Sequence, residues 1–96
     1  MGWKRLLKPG PVDLGITHLD AVTEPGVYTQ IFAGRATKAQ GYPFEGKAGT
    51  LVIHPWNPSS GNVIAVFHSW DAGSAKRTLY NGAWRPWLDL TGKAVP

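Results

Sequence analysis

Hydrophobic and polar residues along this chain fall into short runs, each closed off by glycine, proline or asparagine. Val27-Tyr28-Thr29-Gln30-Ile31-Phe32 is rich in β-branched and aromatic side chains and predicts a first strand. Residues 34–48 then read as a long loop that presents Tyr42 and Phe44. Thr50–His54 predicts a second strand, stopped by Pro55, and Val63–Trp70 a third. The third strand alternates Val63/Ala65/Phe67 with Ile64/Val66/His68/Trp70, so both of its faces are largely apolar. Such a strand is covered on both sides, by its own domain or by a partner. Lys76–Tyr80 follows as a fourth strand. Asn81-Gly82 supplies the two positive-φ positions of a type I′ turn, which returns the chain as a fifth strand over Trp84–Leu90. Thr17-His18-Leu19-Asp20 is a weak signal for a capped helical turn.

This order of elements predicts an all-β fold: one small domain built as a twisted antiparallel meander sheet, with a long loop after the first strand. Residues 1–18, interrupted by Pro9-Gly10-Pro11, read as a lead-in or linker. Residues 19–92 form the domain and 93–96 a C-terminal tail. Trp84 and Trp87 stand three apart on the predicted fifth strand. That spacing sends them to opposite faces, one into the core and the other toward solvent, a neighbouring subunit or a ligand.

Composition narrows the picture. With 43% hydrophobic and 17% charged residues the chain is poor in charge and is expected to fold. Its 12 glycines and 8 prolines favour turns and strands over helices. Five tryptophans, three tyrosines and three phenylalanines exceed what the centre of so small a core accommodates. Part of this set is therefore expected at an interface or a recognition surface. The net charge of +4 is scattered, with local clusters only at Lys4-Arg5-Lys8 and Lys76-Arg77, and no basic-aromatic strand face marks a nucleic-acid reader. With 0 cysteines there is neither a disulfide nor a thiolate zinc site, so oligomerisation is an expected source of stability. The opening residues hold no apolar stretch fit for a signal peptide, and no run is long enough to span a membrane.

Little catalytic chemistry is legible. Nothing in the spacing brings two of the six carboxylates across a substrate, and Asp71 and Asp89 sit at predicted turns or strand ends. Ser69, His68 and Asp71 are too close in sequence to form a triad on a strand, where neighbours point apart. His18, His54 and His68 are too few for a closed metal site within one chain. The expectation is a protein without enzymatic activity, metal or cofactor.

Three runs resemble the knob domain of phage tail fibres and pyocin-type tail fibres. Pro25-Gly26-Val27-Tyr28 is similar to the family's entry into its first strand, and Gly49-Thr50-Leu51-Val52-Ile53 to its Gly-x-Leu-x-Val strand after the long loop. Arg77 followed by Asn81-Gly82-Ala83-Trp84-Arg85-Pro86-Trp87-Leu88-Asp89-Leu90 is similar to its closing Asn-Gly-x-Trp-x-x-Trp-x-x-Leu run. The likeness spans residues 19–90. The chain departs from it in the third strand, where Ala65-Val66-Phe67-His68 replaces polar-aromatic pairs, and at Pro86, which favours an edge strand.

The resemblance implies a small β domain near the end of a tail fibre or minor tail protein, carried on a virion or an extracellular tail-like particle. It implies assembly as a homotrimer, partnership with the rest of the fibre and attachment to bacterial surface polysaccharide, with neither nucleic acid nor membrane insertion involved. Two other roles fit the same sequence: a trimerisation or folding cap that binds nothing, and a carbohydrate-binding module of a secreted bacterial enzyme. Family position makes Trp84 the inward anchor, near Tyr28 and the third strand. Trp87 is then expected on the outer face with Arg85 and Asp89, an aromatic plate flanked by a donor and an acceptor that suits a sugar ring. If Trp87 is instead held between subunits, the ligand is expected at the 34–48 loop, around Tyr42 and Phe44.

Overall fold

In a computed structural model the chain is all-β, and the structure describes residues 11–57 and 59–96. Seven strands form one sheet: β1 (Val12–Asp13), β2 (Gly26–Gln30), β3 (Gly49–Pro55), β4 (Val63–Ser69), β5 (Ser74–Tyr80), β6 (Ala83–Trp84) and β7 (Leu88–Asp89). The spatial order is β1-β2-β3-β4-β5-β6, with β7 also paired to β5. From β2 onward every pairing is antiparallel, giving the expected meander, whereas β1 runs parallel to β2. Short 3-10 turns at Leu19–Ala21, Ala33–Arg35 and Lys38–Gln40 punctuate the connections. His18 caps the first of them, its Nδ1 accepting the Asp20 N–H at 3.0 Å. Among the described residues no helix is long and apolar enough to cross a membrane.

The pleat sorts the side chains into two faces. On one, Leu51 and Ile53 of β3, Val63, Ala65 and Phe67 of β4 and Leu79 of β5 are buried. Leu14, Leu19 and Val22 before β2, and Ala36 and Tyr42 from the long loop, close over them. Phe67 is completely buried and meets the edge of Tyr42 at a ring separation of 5.6 Å. Gln30, also completely buried, ties these coverings together. Its Nε2 donates to the Gly15 carbonyl (2.7 Å) and to the Tyr42 hydroxyl (3.1 Å), while its Oε1 accepts the Phe32 N–H (3.0 Å). A buried amide with its groups satisfied fixes where the loop lies on the sheet. Gly49 permits the closest strand approach: a Cβ there would stand 2.2 Å from the His68 carbonyl oxygen.

The other face carries a row of valines in register across three strands, with Val27 opposite Val52 and Val52 opposite Val66. Ile64 lies beside them, and Val52, Ile64 and Val66 are half-buried while Val27 is exposed. The described residues thus cover one face of β4 and leave its second apolar face partly open, where sequence alone predicts cover from the domain or a partner.

Two segments are more integrated than their sequence suggests. Part of the stretch read as a lead-in belongs to the sheet: Val12 and Asp13 pair with Tyr28 and Thr29, and Leu14 is buried. Two paired residues have no periodicity to read. Residues 1–10, including the Lys4-Arg5-Lys8 cluster, lie outside the described residues. At the other end, Ala94 bridges to Leu88 and the Val95 N–H donates to the Trp87 carbonyl at 3.0 Å, so the tail folds back on β7.

Candidate functional site

The closing hairpin turns where its sequence says. Asn81 and Gly82 have φ of 51° and 83°, and Tyr80 pairs with Ala83 across the turn. The returning strand, however, is not continuous. Leu79 faces Trp84, but Lys76 faces Leu88 and Ala75 faces Asp89, so one extra residue enters the returning strand between the two paired segments. This is a β-bulge around Arg85-Pro86-Trp87, at the proline that lacks a donor for the ladder.

The bulge overturns the expectation that Trp84 and Trp87 face opposite ways. One inserted residue restores Trp87 to the inner face, and both indoles pack on the Arg77 guanidinium, at 4.1 Å for Trp84 and 4.7 Å for Trp87. Their N–H groups are also committed. Trp84 Nε1 donates to the Asp20 carbonyl (3.0 Å) and Trp87 Nε1 to the Gly41 carbonyl (2.8 Å). Arg77, only 7% exposed, completes the assembly with an ion pair to Asp20 at 2.9 Å. Burial lowers the Arg77 pKa, and the hydrogen bond and charge of Asp20 oppose that shift. Trp84 is an inward anchor as expected, and Trp87 is a second one.

The remaining predicted site residues separate. Arg85 stays on the outer face, its N–H donating to the Thr78 carbonyl at 2.8 Å. Asp89 does not join it. Its Oδ1 accepts from the Thr91 N–H (2.9 Å), the Thr91 hydroxyl (2.6 Å) and the Lys93 N–H (3.0 Å), bonds that hold its pKa below the ordinary carboxylate value. Tyr42 is buried against Phe67, and burial raises its pKa. Phe44 packs half-buried on the core. The 34–48 loop therefore turns both of its predicted aromatics inward, because Gln30 and Phe67 offer them a partner and a wall.

The open aromatics lie elsewhere. Trp56, 52% exposed, continues β3 by one bond, its N–H donating to the Asn62 carbonyl at 3.0 Å. Tyr80, 40% exposed, ends β5 on the same outer face. The two rings stand 5.6 Å apart at 37°, and the Arg85 guanidinium lies 5.8 Å from the Tyr80 ring. With Thr78 they line an open cleft of about 440 Å³. Its two walls are tied by the Asn81 N–H, which donates to Asn62 Oδ1 at 3.0 Å. Among the described residues, the Trp56 indole N–H, the hydroxyls of Thr78 and Tyr80 and the Arg85 guanidinium make no hydrogen bond within the protein. An aromatic shelf with uncommitted polar groups at its rim is suited to a flat, polar-edged ligand. A second hollow, lined by Glu24, Pro25, Pro55, Asn57 and Leu79 among others, has no aromatic lining.

Of the predicted site residues, Arg85 is the one the cleft contains. Trp56, Thr78 and Tyr80 were missed as site residues because two separate turns bring them together. The available signal was the position of Trp56 directly after a strand-ending proline, and of Tyr80 directly before Asn-Gly. The histidines do not converge: His54 and His68 share the outer face but stand four positions apart along the strands, roughly 13 Å. His68 Nδ1 contacts Ser74 Oγ at 2.9 Å, while the Ser69 hydroxyl bonds Asp71.

Two solved structures are similar to this chain. One is a C-terminal fragment of the R1 pyocin fibre of P. aeruginosa, with a TM-score of 0.62, 22% identity, and coverage of 82% of this chain and 19% of that one. The other is a C-terminal fragment of the R2 pyocin fibre of P. aeruginosa, with a TM-score of 0.59, 27% identity, and coverage of 82% of this chain and 20% of that one. The chain thus spans about a fifth of each fibre fragment. No protein-family model matches the chain, and no curated protein matches it. The resemblance to pyocin-type tail fibres drawn from the sequence is borne out by these two structures.

Proposed function

We propose that this chain is a non-enzymatic receptor-binding domain of a tail fibre, carried on a virion or an extracellular tail-like particle and attaching to bacterial surface polysaccharide. The similarity to two pyocin fibres supports the fibre role. The observation that carries the attachment is the outer cleft, where Trp56 and Tyr80 form a shelf for the apolar face of a sugar and uncommitted donors surround it. In this reading Trp87 and Asp89 hold the fold, and Arg85 alone of the outer residues expected from the sequence meets the ligand.

The domain works as a homotrimer joined to the rest of its fibre. Support comes from the partly open row of Val27, Val52 and Val66 with Ile64, an apolar stripe that copies of the chain would cover around a threefold axis. The clefts lie at one end of the face, beside Trp56 and the Asn81–Gly82 turn, so three of them would gather at one end of the assembly. Repeated weak contacts then add through avidity. A pure folding cap would use the same stripe but leave the cleft without a ligand.

Adsorption to cells separates these roles. The purified chain is expected to bind bacteria that display their surface polysaccharide and to lose that binding when the polysaccharide is stripped. A trimer that ignores the polysaccharide throughout a strain panel would instead be the cap.

A further inference from the structure

Resting on the attachment reading above, we infer that the Trp56–Tyr80–Arg85 cleft takes an anionic sugar residue, a pyranose bearing a carboxylate or a phosphate. The first argument is the inventory of its polar groups. The Arg85 guanidinium and the Trp56 indole only donate hydrogen bonds, and the hydroxyls of Thr78 and Tyr80 donate or accept. Among the described residues no obligate side-chain acceptor lines the cleft. A neutral sugar, whose hydroxyls give protons as well as take them, finds few side-chain partners for its own donors here. An anionic group, rich in acceptors, matches the set.

The second argument is where the protein's own carboxylates are. Asp20 pairs with Arg77, Asp71 with Lys47 at 3.6 Å, and Asp89 caps its turn. Glu45 accepts the Lys38 N–H at 2.8 Å, Asp13 accepts the Gly15 N–H at 3.1 Å, and Glu24 lines the other hollow. Among the described residues, then, no carboxylate neutralises Arg85, and a chain of net charge +4 presents this cation beside an aromatic shelf.

The third argument is geometry. Arg85 is anchored by its backbone to Thr78, and its guanidinium lies over the Tyr80 ring, 5.8 Å from the centroid. A sugar laid flat on the shelf projects an equatorial substituent at the rim, where the guanidinium fork can engage two anionic oxygens together. Lysine lacks that fork.

The test is a nuclear magnetic resonance titration of the full ¹⁵N-labelled chain with D-glucuronate, D-glucose 6-phosphate and methyl β-D-glucoside at equal concentrations. Glucuronate or the phosphate is expected to shift the Trp56 indole and Arg85 signals at least about tenfold more tightly than the neutral glucoside, a difference of about 1.4 kcal/mol. Comparison of the two anions identifies the group preferred. Arg85→Gln should remove the preference while leaving the fold, read from the dispersed amide spectrum, intact. Arg85→Lys should restore it only in part. Equal affinity for the neutral and anionic sugars, unaffected by Arg85→Gln, would overturn the anionic inference while leaving glycan attachment standing. Failure of all three sugars to move any cleft signal would overturn the site itself. Polysaccharide-dependent adsorption of the same sample to cells would then show that attachment occurs elsewhere.

Discussion

Arg77 illustrates how a charged residue becomes a fastening. Its ion pair with Asp20 joins a guanidinium that is only 7% exposed to a carboxylate that is 55% exposed, so water screens the pair from one side. The two indoles matter more: cation–π contacts contribute about 0.5–2 kcal/mol, and the one guanidinium lies over both rings. Arg77→Ala is therefore expected to cost about 2–3 kcal/mol in denaturant unfolding, well above Asp20→Asn. An equal or larger loss for Asp20→Asn would place the stabilisation in the ion pair. Asp89 gives a dependence on pH. Its folded pKa lies below the unfolded value, so its contribution is present above the unfolded pKa and fades as pH falls through the folded one. Asp89→Asn should lower the melting temperature at neutral pH, and the gap from the parent should close in strong acid.

The closing hairpin is the element in which sequence and structure agree most and differ most. Its turn was legible because Asn-Gly has a local conformational reason to reverse the chain. Gly82→Val is expected to cost about 1–3 kcal/mol, read as a lower melting temperature. The strands were legible for the same local reason, since β-branched runs end at Gly, Pro or Asn. The faces of Trp84 and Trp87 were not. A bulge is a property of two strands, and counting along one strand cannot reveal that its partner skips a residue. Pro86 was the visible hint, marking where the ladder fails. The Gly49 requirement was equally hidden, because it depends on the His68 carbonyl of the adjacent strand. Gly49→Ala is expected to destabilise by about 1–3 kcal/mol, by the same unfolding measurement.

At the scale of the molecule, the sequence carried the all-β class, the meander and the resemblance to tail fibres. The cleft escaped it, because Trp56 and Tyr80 meet only when two turns are tied through Asn62 and Asn81. The two apolar faces of β4 were legible, and the second underlies the proposed trimer. Light scattering is expected to give three times the 10.4 kDa of one chain, and Val66→Asp, a charge in the middle of the valine row, should yield folded monomers. A Val66→Asp protein that stayed trimeric would move the contact to another surface.

The central claim is that attachment runs through the outer cleft and not through the half-buried, inward-facing pair Trp84 and Trp87. It is tested most directly by adsorption of Trp56→Ala to polysaccharide-bearing cells, measured beside the parent at equal concentration after both have been matched for fold and assembly. Removing half of an exposed shelf should leave the melting temperature nearly unchanged and reduce adsorption at least about tenfold, the loss of about 1.4 kcal/mol that one good aromatic contact supplies. Undiminished adsorption by a folded Trp56→Ala protein would contradict the account.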